Sequence, residues 1–196
     1  MKYIDMKQVV NLLYNEWDMG KKASQAKGKV CAWIYFFEIM EESEKIVLEK
    51  IDNKVIGICG YSKWNSKKNL LKKYFYRLLK NILIHSPLIK NKQAIYEYNE
   101  NYDYLPKELE NYFDGEVSIL IVDKIYRGNN YGKKLLLKVF EMAKSDNMKN
   151  LQILTDESCN FKFYEKLGCI KVYEKTITYN NNTSCEKGYI YEKKIN

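Results

Sequence analysis

Histidine and cysteine are scarce in these 196 residues, and neither is grouped. His85 is the only histidine, and beside the Ser86-Pro87 break it reads as a surface residue rather than a base. The five cysteines (Cys31, Cys59, Cys159, Cys169 and Cys185) are odd in number and form no CxxC pair. That argues against a zinc site or a disulfide framework, so no metal is expected and reduced thiols in a cytoplasm are. No apolar run approaches the ~18 residues of a membrane-spanning helix. Met1-Lys2-Tyr3-Ile4-Asp5-Met6 has no long apolar run after its basic residue, so no signal peptide and a cytoplasmic location are expected. Acidic residues are missing altogether from Asn53 to Tyr96.

What is present suits a globular chain. Hydrophobic content is 46%, enough for a packed core, and the length fits one domain over 1–196, with room for an insertion. Net charge is +8, unevenly spread. Lys54, Lys63, Lys67, Lys68, Lys72, Lys73, Arg77, Lys80, Lys90 and Lys92 fill the acid-free stretch, so the remainder is slightly acidic. Glu97, Glu100, Asp103, Glu108, Glu110, Asp114 and Glu116 follow against a single Lys107. Such polarity suggests a positive and a negative face, each steering an opposite ligand.

Hydrophobic spacing predicts helices over 6–17 and 30–42. Strand-like runs at 46–51 and 55–61 flank Asp52-Asn53-Lys54 and predict a β-hairpin. Over 67–83, Leu70, Leu71, Tyr74, Phe75, Leu78, Leu79 and Ile82 share one helical face, expected on the core with the basic face in solvent. A membrane-surface or nucleic-acid role for this basic tract is the alternative. A buried strand at 116–123 leads through a glycine-bearing turn to a helix over 132–145. A strand at 151–155, a helix over 160–167 stopped by Gly168, and strands at 170–179 and 189–193 follow, the last two joined by a polar loop at 180–188. Alternating strands and helices argue α/β with some parallel pairing.

The most informative segment runs from Val122 through Arg127-Gly128-Asn129-Asn130-Tyr131-Gly132 to Lys133 and Lys134. Its glycines permit a tight turn with exposed N–H groups, and the helix that follows points its positive end at the same spot. With Arg127, Lys133 and Lys134 this composes a pyrophosphate site; an ordinary surface turn with lysines is the alternative.

Here the chain resembles the GNAT superfamily of N-acetyltransferases, whose Arg/Gln-x-x-Gly-x-Gly/Ala motif holds the pyrophosphate of acetyl-CoA. Asn130 stands at the first motif glycine, and Asn tolerates positive φ better than most residues. Phe163-Tyr164-Glu165-Lys166-Leu167-Gly168-Cys169 resembles a second family signature in the right order. The clear resemblance covers about 115–178, the expected acetyl-CoA-binding core. It implies a mixed, partly parallel twisted sheet with helices on both faces and a helical insertion at about 62–114.

The resemblance also implies a chemistry. Acetyl-CoA is the co-substrate, and a primary amine of a small molecule or peptide attacks it directly. Tyr164 protonates the leaving thiolate; an aromatic that packs its helix on the sheet is the alternative. Glu116 is the candidate base, with Asp123 the runner-up and better suited to ordering the turn. Main-chain N–H groups near Ile121 and Val122 hold the thioester carbonyl. Asn160 contacts the coenzyme, caps the helix, or both. Residues 97–116, with Tyr96, Tyr98, Tyr102, Tyr104 and Tyr112 among carboxylates, suit a cationic acceptor; a solvated acidic loop is the alternative. A non-catalytic acyl-CoA-binding regulatory module on the same fold is the competing function. Neither nucleic acid nor stable membrane insertion is expected, and a homodimer is.

Overall fold

The computed structural model describes residues 1–22, 24–66, 70–89, 105–109, 111–179 and 184–195. Its helices are α1 (Tyr3–Glu16), α2 (Met19–Lys22), α3 (Gln25–Glu42), α4 (Leu70–Ile84), α5 (Tyr131–Ser145) and α6 (Lys162–Glu165). Its strands are β1 (Lys45–Ile51), β2 (Lys54–Lys63), β3 (Gly115–Val122), β4 (Asn150–Asp156), β5 (Ile170–Tyr179) and β6 (Ser184–Lys194). They form one six-stranded sheet in the order β1-β2-β3-β4-β6-β5. β3 and β4 pair in parallel, whereas β1·β2, β4·β6 and β5·β6 are antiparallel. The expected mixed, partly parallel α/β sheet with flanking helices is therefore present. The chain divides into two compact units, Met1–Lys90 with Ser118–Glu141, and Asn91–Val117 with Met142–Asn196.

In the first unit the predicted hairpin closes at Asp52 and Asn53, whose φ values are +48° and +63°. Two left-handed residues in a two-residue turn match the twist of the flanking strands, and Ile51 pairs with Lys54. Val9, Leu13, Ala32 and Phe36 from α1 and α3 pack with Val55, Ile58 and Ile121. The α3 helix starts before its apolar pattern does, because Ser24 caps it by accepting from the Lys27 N–H. Gly57 lets α5 approach the sheet: a Cβ there would lie 2.9 Å from Leu135 Cδ1 and 3.1 Å from the Ile121 carbonyl oxygen.

The orientation of α4 reverses the expectation. Leu70, Leu71, Tyr74, Phe75, Leu78 and Ile82 are exposed, Leu71 at 87%. Basic residues reach toward α3 instead, Lys80 largely covered and Arg77 exposed. Arg77 Nε donates to Glu41 Oε1 at 2.7 Å, and Lys80 lies 3.2 Å from Glu38 and 2.9 Å from Glu41. Lys72 Nζ donates to the Ser43 carbonyl at 2.9 Å. The cause is that α3 turns two glutamates toward α4, and a carboxylate as buried as that of Glu41 needs cations beside it. Residues 67–69, 90–104 and 110 lie outside the described residues. So do Tyr96, Glu97, Tyr98, Glu100, Tyr102, Asp103, Tyr104 and Glu110, most of the acidic stretch. β2 itself runs to Lys63, slightly into the expected insertion.

In the second unit, Leu151, Ile153, Ile177, Ile190 and Tyr191 are buried across β4, β5 and β6. β6 begins at Ser184, paired with Tyr179, so the strand takes in part of the loop expected at 180–188. The helix expected over 160–167 is a single turn, α6, followed by Gly168 at φ +73°. Its N-cap is Phe161, without a side-chain bond, so the capping role expected of Asn160 is not filled.

Lys80→Met should cost roughly 1–3 kcal/mol in urea unfolding, because it strips a cation from two glutamates. Leu71→Lys should change stability by no more than about 0.5 kcal/mol. The opposite ranking would return the apolar face of α4 to the core.

Candidate active site

The turn after β3 lies in the first unit and is built by local bonds. Asp123 caps the short 3₁₀ turn at Lys124–Tyr126, its Oδ1 accepting from the Ile125 N–H at 3.1 Å. Its main-chain N–H reaches the Ile56 carbonyl at 2.8 Å, and Lys54 Nζ lies 3.3 Å from its other oxygen. Asp123 thus orders the turn. Arg127 Nε donates to the Val122 carbonyl at 2.9 Å, and its guanidinium pairs with the buried Glu16 carboxylate. Glu16 also accepts from the Lys124 N–H at 3.1 Å. The end of α1 and the start of the turn are locked together by this one carboxylate.

Beyond Arg127 the backbone enters the left-handed region twice. Gly128 has φ +83° and Asn130 φ +61°. No atom lies within 4 Å of where a Gly128 Cβ would stand, so conformation rather than packing requires the glycine. Asn130 adopts the left-handed conformation itself, in the place of the motif glycine. Gly132 lies within the first turn of α5, without a positive φ. The first bond across the helix start is from the Lys134 N–H to the Asn130 carbonyl, 2.9 Å. By helix geometry, the N–H groups of Tyr131, Gly132 and Lys133 have no acceptor within α5.

The three cations of the turn are not equivalent. Arg127 is spent on Glu16, and Lys134 Nζ lies 2.5 Å from Glu49 Oε1. Lys133 is exposed and, among the described residues, forms no ion pair. Asn129 folds back, its Nδ2 3.3 Å from the carbonyls of Tyr126 and Arg127. Tyr131 stacks edge-on against Tyr126, 6.5 Å between centroids. The turn thus brings Arg127 to Lys134 together, with Arg127 and Lys134 paired to glutamates and Lys133 in no ion pair among the described residues.

Ile121 is buried and Val122 half-buried on β3. The ladder of β3 to β4 contains two pairs, Gly115 with Leu151 and Glu116 with Gln152, and Ile121 and Val122 lie beyond its end.

In the second unit Tyr164 is half-buried on α6. Its ring packs 5.8 Å from that of Tyr191 and 5.4 Å from that of Phe163. Tyr191 is fully buried and donates its hydroxyl to Glu165 at 2.9 Å. Burial first, and then the Glu165 carboxylate, push the Tyr191 phenol well above its ordinary pKa, so it stays protonated beside Tyr164. Asn160 is exposed before α6, its carbonyl accepting from the Phe163 N–H at 3.0 Å. With α6 beginning only at Lys162, Asn160 and Tyr164 do not share a helical face. Glu116 is half-buried on β3, in register with Gln152. Burial raises the thiol pKa at Cys31, Cys59 and Cys169, the last to about 11, and at the exposed Cys159 partial desolvation and then the Asp156 carboxylate raise it.

Residues 93–169 match the model of the acetyltransferase (GNAT) family. No curated protein sequence matches the chain. Among solved structures, the Streptococcus mutans protein smu.2055 aligns with TM-score 0.59 and 17% identity, covering 100% of this chain and 97% of its own. A Desulfovibrio desulfuricans protein assigned to the GNAT family of acetyltransferases aligns with TM-score 0.56 and 11% identity, covering 100% and 95%. A Bacillus anthracis protein, described as a streptothricin acetyltransferase and solved with acetyl coenzyme A, aligns with TM-score 0.47 and 21% identity; 76% of this chain is covered, and it spans 61% of that protein. At such identities the likeness is one of fold.

Gly128→Ala and Asn130→Ala should each destabilise the protein by about 1–2 kcal/mol, the penalty of a side chain held left-handed. Asn130→Gly should cost nothing measurable. Equal costs for Asn130→Ala and Asn130→Gly in denaturant titration would mean the left-handed turn is not the constraint.

Proposed function

We infer transfer of an acetyl group from acetyl-CoA to a primary amine of a small molecule or peptide, a reading supported by the match of residues 93–169 to the acetyltransferase (GNAT) family model and by a fold like that of a solved GNAT-family protein. The observation that carries this reading is the left-handed pair Gly128 and Asn130 at the start of α5, with its unbonded N–H groups and Lys133. That arrangement fits a pyrophosphate, which needs several donors and a positive helix end at short range. Arg127, Asn129 and Tyr131 shape the turn, and Lys134 borders it.

In the reaction the amine nitrogen bonds to the thioester carbonyl carbon and the carbon–sulfur bond breaks. Glu116, through water, takes the proton that the amine loses. Main-chain N–H groups at Ile121 and Val122 meet the negative charge that builds on the carbonyl oxygen. Tyr164 gives its phenolic proton to the departing thiolate, which leaves as the free coenzyme thiol, and regains a proton from solvent. Asn160, exposed before α6, contacts the coenzyme. Direct attack is favoured over a cysteine acyl-enzyme because the four cysteines whose side chains are described are all held toward the thiol form. Those scattered free thiols also suit a cytoplasmic setting. Among the described residues, no helix is long and apolar enough to cross a membrane.

Release of free thiol from acetyl-CoA, measured across a panel of amines, tests the reading. Tyr164→Phe should lower kcat by about 100-fold or more while leaving the KM for acetyl-CoA within about twofold. Unchanged turnover would move the proton donor elsewhere. Coenzyme binding without transfer to any amine would support a non-catalytic acyl-CoA-binding module.

A further inference from the structure

Three polar side chains stand in a row across adjacent strands of the second unit. Glu116 on β3 is in register with Gln152 on β4, and Gln152 is in register with Glu192 on β6. Register partners project from the same face of a sheet, with Cβ atoms roughly 5 Å apart in directly opposed pairs. The row therefore spans about 10 Å on one face.

Two of its members are buried without the partners that burial demands. Gln152 is 2% exposed, and its Oε1 accepts no hydrogen bond among the described residues. Glu192 is 4% exposed, and among the described residues its carboxylate has one hydrogen bond, from the Tyr112 hydroxyl to Oε1 at 2.7 Å. Among the described residues no lysine or arginine pairs with Glu192. A buried carboxylate without a cation, beside a buried carbonyl oxygen without a donor, is costly, and both deficits have the same sign. Each would be met by N–H groups carrying positive charge. Tyr112 is held at this place by its own segment. Asn150 Nδ2 donates to the Tyr112 carbonyl at 3.3 Å, and the Asp114 N–H to the Asn150 carbonyl at 2.9 Å.

We propose that Gln152 and Glu192, with Tyr112, form a subsite for an alkylammonium group of the acceptor other than the one acetylated. The acceptor is then a diamine-type molecule, its reacting nitrogen toward Glu116 and its second cation toward Glu192. The identity of the ligand as an acceptor rests on the acetyl-transfer reading; the cation site itself does not. A metal ion is the poorer occupant, since no described group of three or more His, Cys, Asp or Glu residues is arranged to hold one. An ammonium suits a row of oxygens spread over two strand spacings.

Calorimetric titration of the full chain without acetyl-CoA, using 1,4-diaminobutane and butylamine, tests the proposal. The diamine should bind at least tenfold tighter than the monoamine. Glu192→Gln should remove that advantage while leaving the unfolding temperature unchanged or raised, because it relieves an unpaired buried charge. Gln152→Met should weaken the diamine in the same direction. Equal affinity for both amines, binding of neither, or a Glu192→Gln protein that loses stability and keeps the preference would overturn it. A diamine site in a protein that does not bind coenzyme leaves this inference standing and removes the acetyl-transfer reading; coenzyme binding without amine discrimination does the reverse.

Discussion

The buried Glu16 carboxylate at the end of α1 holds the candidate site in shape. It accepts from the Lys124 N–H and pairs with Arg127, whose Nε reaches back to the Val122 carbonyl. The end of β3 and the start of the turn are thereby fixed before the chain reaches Gly128. With that anchor in place, two left-handed residues suffice to deliver the backbone to the N-terminus of α5. A charge expected to serve a ligand thus serves the fold. Removing Glu16 would leave Arg127 free and the turn loose, so the two roles trade against each other.

The division of labour among the cations follows the same logic. Buried and half-buried glutamates claim nearby positive charge in the first unit: Glu16 pairs with Arg127, Glu49 with Lys134, Glu38 with Lys80, and Glu41 with Lys80 and Arg77. Surface ion pairs contribute little, but a carboxylate with most of its surface removed from water requires compensation. The basic tract noticed in the sequence is therefore partly structural. Glu192 in the second unit departs from this pattern, with a tyrosine hydroxyl in place of a cation.

Much of this was legible from local signals. The Asp52-Asn53 hairpin, β3, α5 and the left-handed tolerance of Asn130 each depend on residues close in sequence, where turn chemistry and period decide. The orientation of α4 was not. Its periodicity marks two faces correctly, but which one turns inward depends on Glu38 and Glu41, some thirty or more residues earlier. The apolar spacing over 160–167 predicts a longer helix than the single turn of α6, which runs only from the N-cap Phe161, without a side-chain bond, to the C-cap Lys166. The row of Glu116, Gln152 and Glu192 is invisible in sequence, since it exists only through strand register. A signal was present for Tyr112, one of several tyrosines among carboxylates.

The proposed acetyl transfer depends on the turn from Val122 to Lys134 serving as a pyrophosphate cradle. Thermal unfolding with coenzyme A, ADP and acetate tests it most directly. A ligand at a hundred times its Kd adds about 2.7 kcal/mol, which for a chain of this size raises the unfolding temperature by several degrees. The account predicts a clear rise with coenzyme A, a smaller one with ADP, which shares the pyrophosphate, and none with acetate. No rise with either pyrophosphate ligand would contradict it.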